Sequence, residues 1–545
     1  MSGKTIVCLC HDVTEDDVRR AVAEGYDDVE TVKRYTGAMM GPCQGKTCGC
    51  SLRELVARLT GRGGEELALP ARRPPAFAAR LGALSGGIDE EAPAAAAAAS
   101  RAGPEAPRPA VAGPGAPRPA PPPPTAPRSV APPPHRRELP RHGIPGTRTG
   151  ELRSTYDVVV VGAGIQGLAL AYELAKLGAG RIAVLERGYP GCGASGRNGE
   201  MIRSAFASPE WIRFFDESLR RWQTLSAELE FNVLFTPPGY LILASTPELA
   251  AAQPGYVERQ HEYGLHTELL NVEQVRELCP PLNPDLVAGG ILQHDGGFAH
   301  HDACVWGYAQ AAARRGVEIH PYTTVTGVYV TGGSVRGVSA LKASAARGSA
   351  VTIATPLIVD AAGGHAGDVA AMAGVTVPVK TFRLEMMVTE SLAPFLKVAV
   401  SAPGIMGYCH QTTRGEFVGG TEPGRTGPST SLRSTVSAVR HAADRFARLF
   451  PALAGVRMLR QWTGLVTETA DVAPVLGPVP EVRGFLLDCG WVYGFMGAPG
   501  AAALLAEYIV TGRMPEVLAP FGIERLRQGR LIPETSLVVS AEARG

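Results

Sequence analysis

The feature that most constrains this chain is an apolar strand that runs straight into a glycine turn: Tyr156-Asp-Val-Val-Val-Val161, then Gly162-Ala-Gly164-Ile165-Gln166-Gly167. Four consecutive valines suit a strand buried on both faces of a parallel sheet, and parallel neighbours need a crossover helix between them. Gln166 to Leu177 reads as that helix and Ile182-Ala-Val-Leu185 as the next strand, which predicts an α/β fold. A lone GxGxxG is weak, but one that follows a strand and opens a helix is much stronger. The first glycine permits a tight turn, the second lets backbone approach a pyrophosphate, and the third lets helix and strand pack closely. The helix N-terminus adds unpaired N–H groups for phosphate. Glu186 closes the second strand 24 residues after Gly162, where a carboxylate would accept ribose hydroxyls. The bland alternatives are a glycine turn without ligand and an ordinary surface carboxylate.

Composition divides the rest. Five of the ten cysteines fall in the first 50 residues, and 20 of the 45 prolines fall between 61 and 150. Residues 1–62 read as a small helical domain. Thr14 caps an acidic first turn and a helix to about Ala23, Tyr26 to Val29 opens a second helix through Tyr35, and Ser51 caps a third over Leu52 to Leu59. So few apolar residues make a marginal core that needs a staple. Residues 63–153 are rich in Ala, Pro, Arg and Gly. The stretch 101–150 holds eight Arg and two Glu, a charge of +6, and is expected to be a disordered basic linker. Only Phe77 to Leu84 is apolar enough to dock. Residues 154–525 read as globular and 526–545 as a tail. Alternating runs at Tyr240–Leu243, Gly327–Val330 and Gly337–Lys342 predict a second, mainly antiparallel layer; Phe485 to Asp488 reads as a strand, and Gly500 to Val510 as a helix.

Cys8-x-Cys10 and Cys43-x4-Cys48 bring two close pairs of thiols, a pattern suited to an iron–sulfur cluster or zinc. Cys50 lies outside the pattern. The net charge of +1 argues against a nucleic-acid binder. No apolar run is expected to reach the roughly 18 residues that span a bilayer, and the N-terminus has no apolar core of a signal peptide. The expectation is a cytoplasmic protein with no transmembrane segment.

Further residues carry a resemblance. Ile358-Val-Asp-Ala-Ala362-Gly363-Gly364 is a strand that ends in small residues, and Trp491-Val-Tyr493-Gly494-Phe495-Met496-Gly-Ala-Pro-Gly500 resembles the C-terminal signature of the D-amino-acid-oxidase family of flavoproteins. Ser195-Gly-Arg197-Asn198-Gly199 with Ile202-Arg203-Ser204, His301-Asp302 with Trp306, and Arg460-Gln-Trp462-Thr-Gly464 with Asp471, Pro474 and Gly477 resemble the sarcosine oxidase β-subunit branch. The resemblance covers about 155–520. It implies FAD rather than NAD, in a Rossmann-like domain joined to an antiparallel substrate domain. It implies FAD contacts from Gly162, Gly164, Ile165, Gln166, Gly167, Glu186, Arg187, Ser195, Arg197, Asn198, Gly199, Val325, Ala362, Gly363, Gly464, Gly494, Phe495 and Met496. Arg203 would hold a substrate carboxylate, with Met496 near it; Tyr493 and His410 are weaker pocket candidates whose competing role is structural. The competing role for Arg203 is a structural acid or the FAD phosphates. His301 matches a histidine that binds a second flavin, FMN, at a partner-subunit interface, or else is a satisfied histidine at a helix start. Met496 stands where that branch has lysine, which points away from sarcosine toward an amine bulkier or more apolar on that side. The cysteine block resembles the bacterioferritin-associated type of [2Fe-2S] ferredoxin, with Cys8, Cys10, Cys43 and Cys48 as ligands.

These features imply an FAD- and [2Fe-2S]-containing subunit of a heteromeric dehydrogenase. It would oxidise a secondary amine or amino or imino acid (sarcosine, proline, hydroxyproline, an opine or glycine) and pass electrons to an acceptor protein or quinone. An oxygen-using oxidase, and a cluster domain that only docks a partner, remain the alternatives.

Overall fold

The computed structural model describes residues 5–85, 151–342, 350–421 and 427–536. Its centre is a six-stranded sheet in the order Glu318–His320, Ile182–Leu185, Val158–Val161, Ile358–Asp360, Phe485–Cys489, Val475–Pro478. The first five strands run parallel and the last is antiparallel. All four valines are buried, as a strand covered on both faces requires. Helix Ile165–Lys176 supplies the crossover. A nine-stranded sheet forms the second layer; its one parallel pair among the described strands is Ala399–Ala402 with Tyr240–Ala244. A three-stranded antiparallel sheet, Thr323–Thr331, Ser334–Lys342 and Val351–Ala354, extends from the first. The α/β class and the antiparallel layer are as the sequence predicts.

The C-terminal helix begins six residues before the predicted start and spans Gly494–Thr511, with Pro499 inside it. Proline lacks an N–H and disturbs a helix interior. Here Ser218 and Trp222 compensate: the Ser218 hydroxyl donates to Met496 O (2.6 Å) and accepts from Gly500 N–H (3.2 Å), and the Trp222 indole donates to Met496 O (2.9 Å). This helix is also long and apolar enough to cross a bilayer, contrary to the expectation that no such run exists. Its small residues let it pack inside the protein instead: a Cβ on Gly500 would lie 2.9 Å from Ser218 Cβ.

The N-terminal helices are Glu15–Ala23, Val29–Thr36 and Gly49–Thr60. Thr14 and Asp17 form a reciprocal capping box, as expected from the acidic first turn. The third helix starts at Gly49 with Cys48 at its N-cap, so Ser51 lies within the first turn and is not the cap. This module does not stand alone. Its core residues Val18, Tyr26, Val32 and Leu52 belong to the same buried cluster as Val158, Tyr172 and Trp306. Tyr26 packs on Trp306 with ring centroids 5.0 Å apart, and Arg34 reaches Asp302 at 2.7 Å.

The boundary at residue 62 also moves. Residues 64–85 are folded onto the body: Ala79–Arg80 pairs with Arg457 and Met458 at the edge of the nine-stranded sheet, and Leu81 is fully buried in its core. Phe77, expected to dock with them, is 74% exposed. The predicted linker between 86 and 150 lies outside the described residues.

Part of the expected tail is likewise anchored. Glu534 accepts from Ala207 and Ser208 N–H (2.8 and 2.9 Å), and Asp471 accepts from Ile532 N–H (3.1 Å). Asp471 also binds Arg525 through two hydrogen bonds of 2.8 and 3.1 Å, both side chains being almost wholly buried. Burial would raise the Asp471 carboxyl, but Arg525 and these donors hold it below the usual carboxylate range. A depressed native value means the contribution is present above the unfolded value of about 4 and is lost as pH falls through the native one. Asp471→Ala should therefore cost about 3–5 kcal/mol near neutrality, read as a lower urea midpoint, and the gap from wild type should shrink below about pH 4.

Candidate active site

Gly162 has φ +108°, and a Cβ there would lie 2.5 Å from Ala361 O on the crossing strand. Gly167 would clash with Gly162 O at 2.1 Å, whereas a Cβ on Gly164 would approach only Ser195 Oγ at 3.1 Å. The three glycines thus serve turn, open face and packing, as their spacing predicts. Glu186 is buried and accepts from Ala163 N–H (2.9 Å) and Gly188 N–H (2.7 Å), which orients its carboxylate at the end of the second strand. Ser195 Oγ accepts from Ile165 N–H (2.9 Å), tying the following loop to the helix start. Gln166 donates to Gly494 O (2.7 Å), so the first glycine turn and the C-terminal signature meet.

The loop is held from both sides. Asn198 donates to Ser195 O (2.5 Å), Arg197 Nε donates to Cys192 O (3.0 Å), and the Trp462 indole donates to Arg197 O (2.9 Å). A Cβ on Gly464 would come 3.4 Å from Arg197 Cβ, and one on Gly199 would strike the Tyr408 ring at 2.1 Å. Ala362 and Gly363 lie at the end of the crossing strand, with Ala362 N–H on Asp360 Oδ1 at 3.1 Å. Val325 is a core residue on the strand whose first residue, Thr323, donates to Glu186 O (2.7 Å). Phe495 packs its ring on Trp222, centroids 5.3 Å apart. Arg187 is exposed beside Glu186. Taken together, these residues form a cradle that fits a dinucleotide: a buried carboxylate at the strand end, an open glycine face, and two small-residue turns that converge on it.

Arg203 is buried at 6% exposure. Its guanidinium lies 4.0 Å from the Phe206 ring centroid, 5.6 Å from Tyr240 and 5.8 Å from Tyr493, and donates to Ala205 O. Among the described residues no carboxylate pairs with it, which removes a structural acid as its partner. Tyr493 is the N-cap residue of helix Gly494–Thr511, and Met496 is buried on the first turn of that helix. Sequence reasoning missed Gln293. This side chain, 1% exposed, accepts from Ser204 and Ala205 N–H (both 2.9 Å) and donates to Ser204 Oγ (2.8 Å), fixing the backbone that presents Arg203. Nothing in the local sequence separates Gln293 from other strand glutamines.

His301 starts helix His301–Arg314. Its Nδ1 lies 2.5 Å from Glu200 Oε1, and His410, wholly buried, approaches Glu200 Oε2 at 3.2 Å. Burial alone would raise Glu200; the His301 charge and its hydrogen bond, with His410 close by, hold it well below the carboxylate range. Burial acts to lower His301, but Asp302 and Glu200 carry it above its ordinary value. His410 therefore sits with His301 on Glu200.

The cysteine loop folds back on the N-terminal hairpin. Cys10 lies beside Cys43 and Cys48 beside Cys8, close enough for their charges to act on one another. A Cβ on Gly41 would lie 2.3 Å from Cys10 Cβ, which brings the loop this close. Burial raises Cys43, but N–H donors from Thr47 and Gly45 and the Cys10 thiol bring it down to about 7. Burial, then the Cys8 charge, pushes Cys48 up to about 12. Among the described residues no group of three or more His, Cys, Asp or Glu is arranged to enclose a metal ion; the thiols pair two by two. Cys50 is exposed and outside this group. Gly162→Ala should strip FAD from the purified protein, since its Cβ cannot coexist with Ala361 O; full flavin absorbance per chain would remove this turn from the site.

The FAD dependent oxidoreductase family matches residues 157–508. Residues 2–88 match the sarcosine oxidase A3 domain, where the sequence resemblance had pointed to a bacterioferritin-associated ferredoxin. Sarcosine oxidase subunit beta of Rhodobacter capsulatus is 34% identical over 393 residues, covering 71% of this chain and 92% of that protein. The Arthrobacter subunit beta is also 34% identical, covering 73% and 97%. Among solved structures, L-proline dehydrogenase from P. horikoshii superposes with a TM-score of 0.66 at 27% identity, over 70% of this chain and all of that one. The chain therefore belongs to the FAD dependent oxidoreductase family, on its sarcosine oxidase β-subunit branch.

Proposed function

We propose that this chain is the FAD-bearing subunit of a heteromeric, cytoplasmic dehydrogenase that oxidises a secondary amine or an amino or imino acid at the carbon next to nitrogen. One observation carries the reading: Arg203 is a buried guanidinium boxed by Phe206, Tyr240 and Tyr493, with no acid partner among the described residues. An uncompensated buried charge is costly unless a ligand completes it. Guanidinium and carboxylate match geometrically, and Arg stays charged across the working range.

FAD, when bound, supplies the acceptor for the two electrons of a C–H bond adjacent to nitrogen. The protein's part is orientation. Arg203 holds the carboxylate, Gln293 keeps its backbone in place, and the aromatic walls exclude water and strengthen that ion pair. Met496 sets an apolar boundary at the start of helix Gly494–Thr511. Because the amine must be neutral to react, turnover should rise with pH through the substrate's own pKa.

Cys8, Cys10, Cys43 and Cys48 would hold a [2Fe-2S] cluster, whose chemistry is one-electron transfer. The support is limited to proximity: Cys10 lies beside Cys43 and Cys48 beside Cys8, two pairs that among the described residues do not enclose a metal ion. FMN beside His301 would supply a second flavin. The solved relative named as a proline dehydrogenase favours an acceptor other than oxygen, whereas the relatives named as sarcosine oxidase subunits favour the oxygen-using alternative.

Three measurements test the reading. Anaerobic addition of sarcosine, proline, hydroxyproline, glycine or an opine should bleach the flavin band for one of them. Arg203→Ala should lose about 2–5 kcal/mol of transition-state binding for that substrate with FAD content unchanged; unaltered kcat/KM would exclude it from the site. Cys48→Ser should abolish reduction of the native acceptor while substrate still bleaches the flavin. Stoichiometric peroxide with a normal rate in that variant would favour an oxidase.

A further inference from the structure

Arg203 sits on a short irregular stretch, 203–208, between strand Met201–Ile202 and helix Pro209–Glu228. The stretch is buried almost throughout, so its backbone groups need partners from elsewhere. Side chains from distant positions supply them. Gln293 takes the N–H groups of Ser204 and Ala205. Gln260 and Arg259, on helix Pro247–Glu262, donate to Phe206 O (2.9 Å) and Ala207 O (3.1 Å). Glu534 takes the N–H groups of Ala207 and Ser208, and the Ser208 hydroxyl at 2.6 Å.

Glu534 differs from the others in where it comes from. Residues 532–536 belong to no helix or strand, yet they are fastened along their length. Ile532 O accepts from the Trp211 indole (3.0 Å), Ile532 N–H donates to Asp471 (3.1 Å), and Thr535 O accepts from the Tyr256 hydroxyl (3.2 Å). Ser536 donates to Glu534 Oε1 through its N–H (2.9 Å) and its hydroxyl (2.6 Å). The Glu534 side chain, 8% exposed, therefore accepts on both oxygens. It also places negative charge at the start of helix Pro209–Glu228, where the helix dipole favours it and where Ser208 makes no cap bond of its own. An amide cannot take its place: whichever way it turns, its NH2 group meets N–H donors.

We propose that Glu534 is a positioning residue for Arg203. Through the amides of Ala207 and Ser208 it fixes the stretch that carries the guanidinium, and with it Phe206, whose ring lies 4.0 Å from that guanidinium. The same segment orients Trp211, which with Phe206 packs on Tyr493 (centroids 6.0 and 5.7 Å apart). A two-point grip on a carboxylate is directional, so a small shift of the guanidinium weakens it. The proposal rests on the reading of Arg203 as the group that holds the substrate carboxylate.

The test uses the full chain loaded with FAD, and acetate and propionate as carboxylates with no amine to oxidise. Affinity is read from the perturbation of the flavin absorbance band. E534Q should weaken both anions by about tenfold, with FAD content per chain unchanged. E534D, which keeps the charge and the acceptors, should recover part of the loss; if E534Q does not retain FAD, E534D against wild type carries the comparison. R203K keeps a charge without the two-point grip, and in that background E534Q should cost less than about threefold. An equal loss in the wild-type and R203K backgrounds makes Glu534 merely structural and overturns the proposal. So does wild-type affinity in E534Q and E534D while R203A binds poorly. Wild-type affinity in R203A removes the carboxylate reading itself, and the proposal with it.

Discussion

The structure depends on one close approach. Strand Val158–Val161 ends where strand Ile358–Asp360 crosses beside it, and Gly162 turns the chain with a left-handed φ that no side chain would tolerate there, 2.5 Å from Ala361 O. That contact sets the helix start over the sheet edge and brings the Glu186 carboxylate and the Ser195 loop to the same end. Parallel strands deliver their C-terminal ends to one face, so residues from distant stretches meet there. Gln166 on Gly494 O joins the first and last of these stretches across 328 residues of sequence.

Around this frame the protein treats buried charge in two ways. Most buried ions are paired: Asp471 with Arg525, Glu30 with Lys33 and Arg34, and Glu200 with His301. A buried pair is affordable only when its remaining hydrogen bonds are met, and here they are. Arg203 breaks the pattern: it is buried among aromatic rings beside the C-terminal signature turn, with no carboxylate partner among the described residues.

Much of the flavoprotein was legible because its signals are local. The glycine spacing, the valine strand and the strand-end carboxylate each obey a steric or hydrogen-bonding rule that operates within a few residues. Helix limits were less legible. Proline and glycine in Gly494–Thr511 read as a loop because their propensities are poor, yet Ser218 and Trp222, from a helix almost 280 residues earlier, satisfy the disturbed carbonyl. Residues 64–85 looked like the start of a linker because their composition resembles one. Their order comes from a sheet edge and an apolar groove that only the folded body provides, with Leu81 buried there.

The sequence by itself determined the dinucleotide turn, the α/β class and the likeness to the sarcosine oxidase β branch, since each is written in short spacings. Tertiary structure decided which of the arginines are left without acids, that Gln293 braces Arg203, and that the N-terminal module shares a core with the flavoprotein through Tyr26 and Trp306. The reason is physical. A residue's type and spacing set its local geometry, but whether a buried charge is paired depends on side chains hundreds of residues away, and only the closed fold brings them within hydrogen-bond reach.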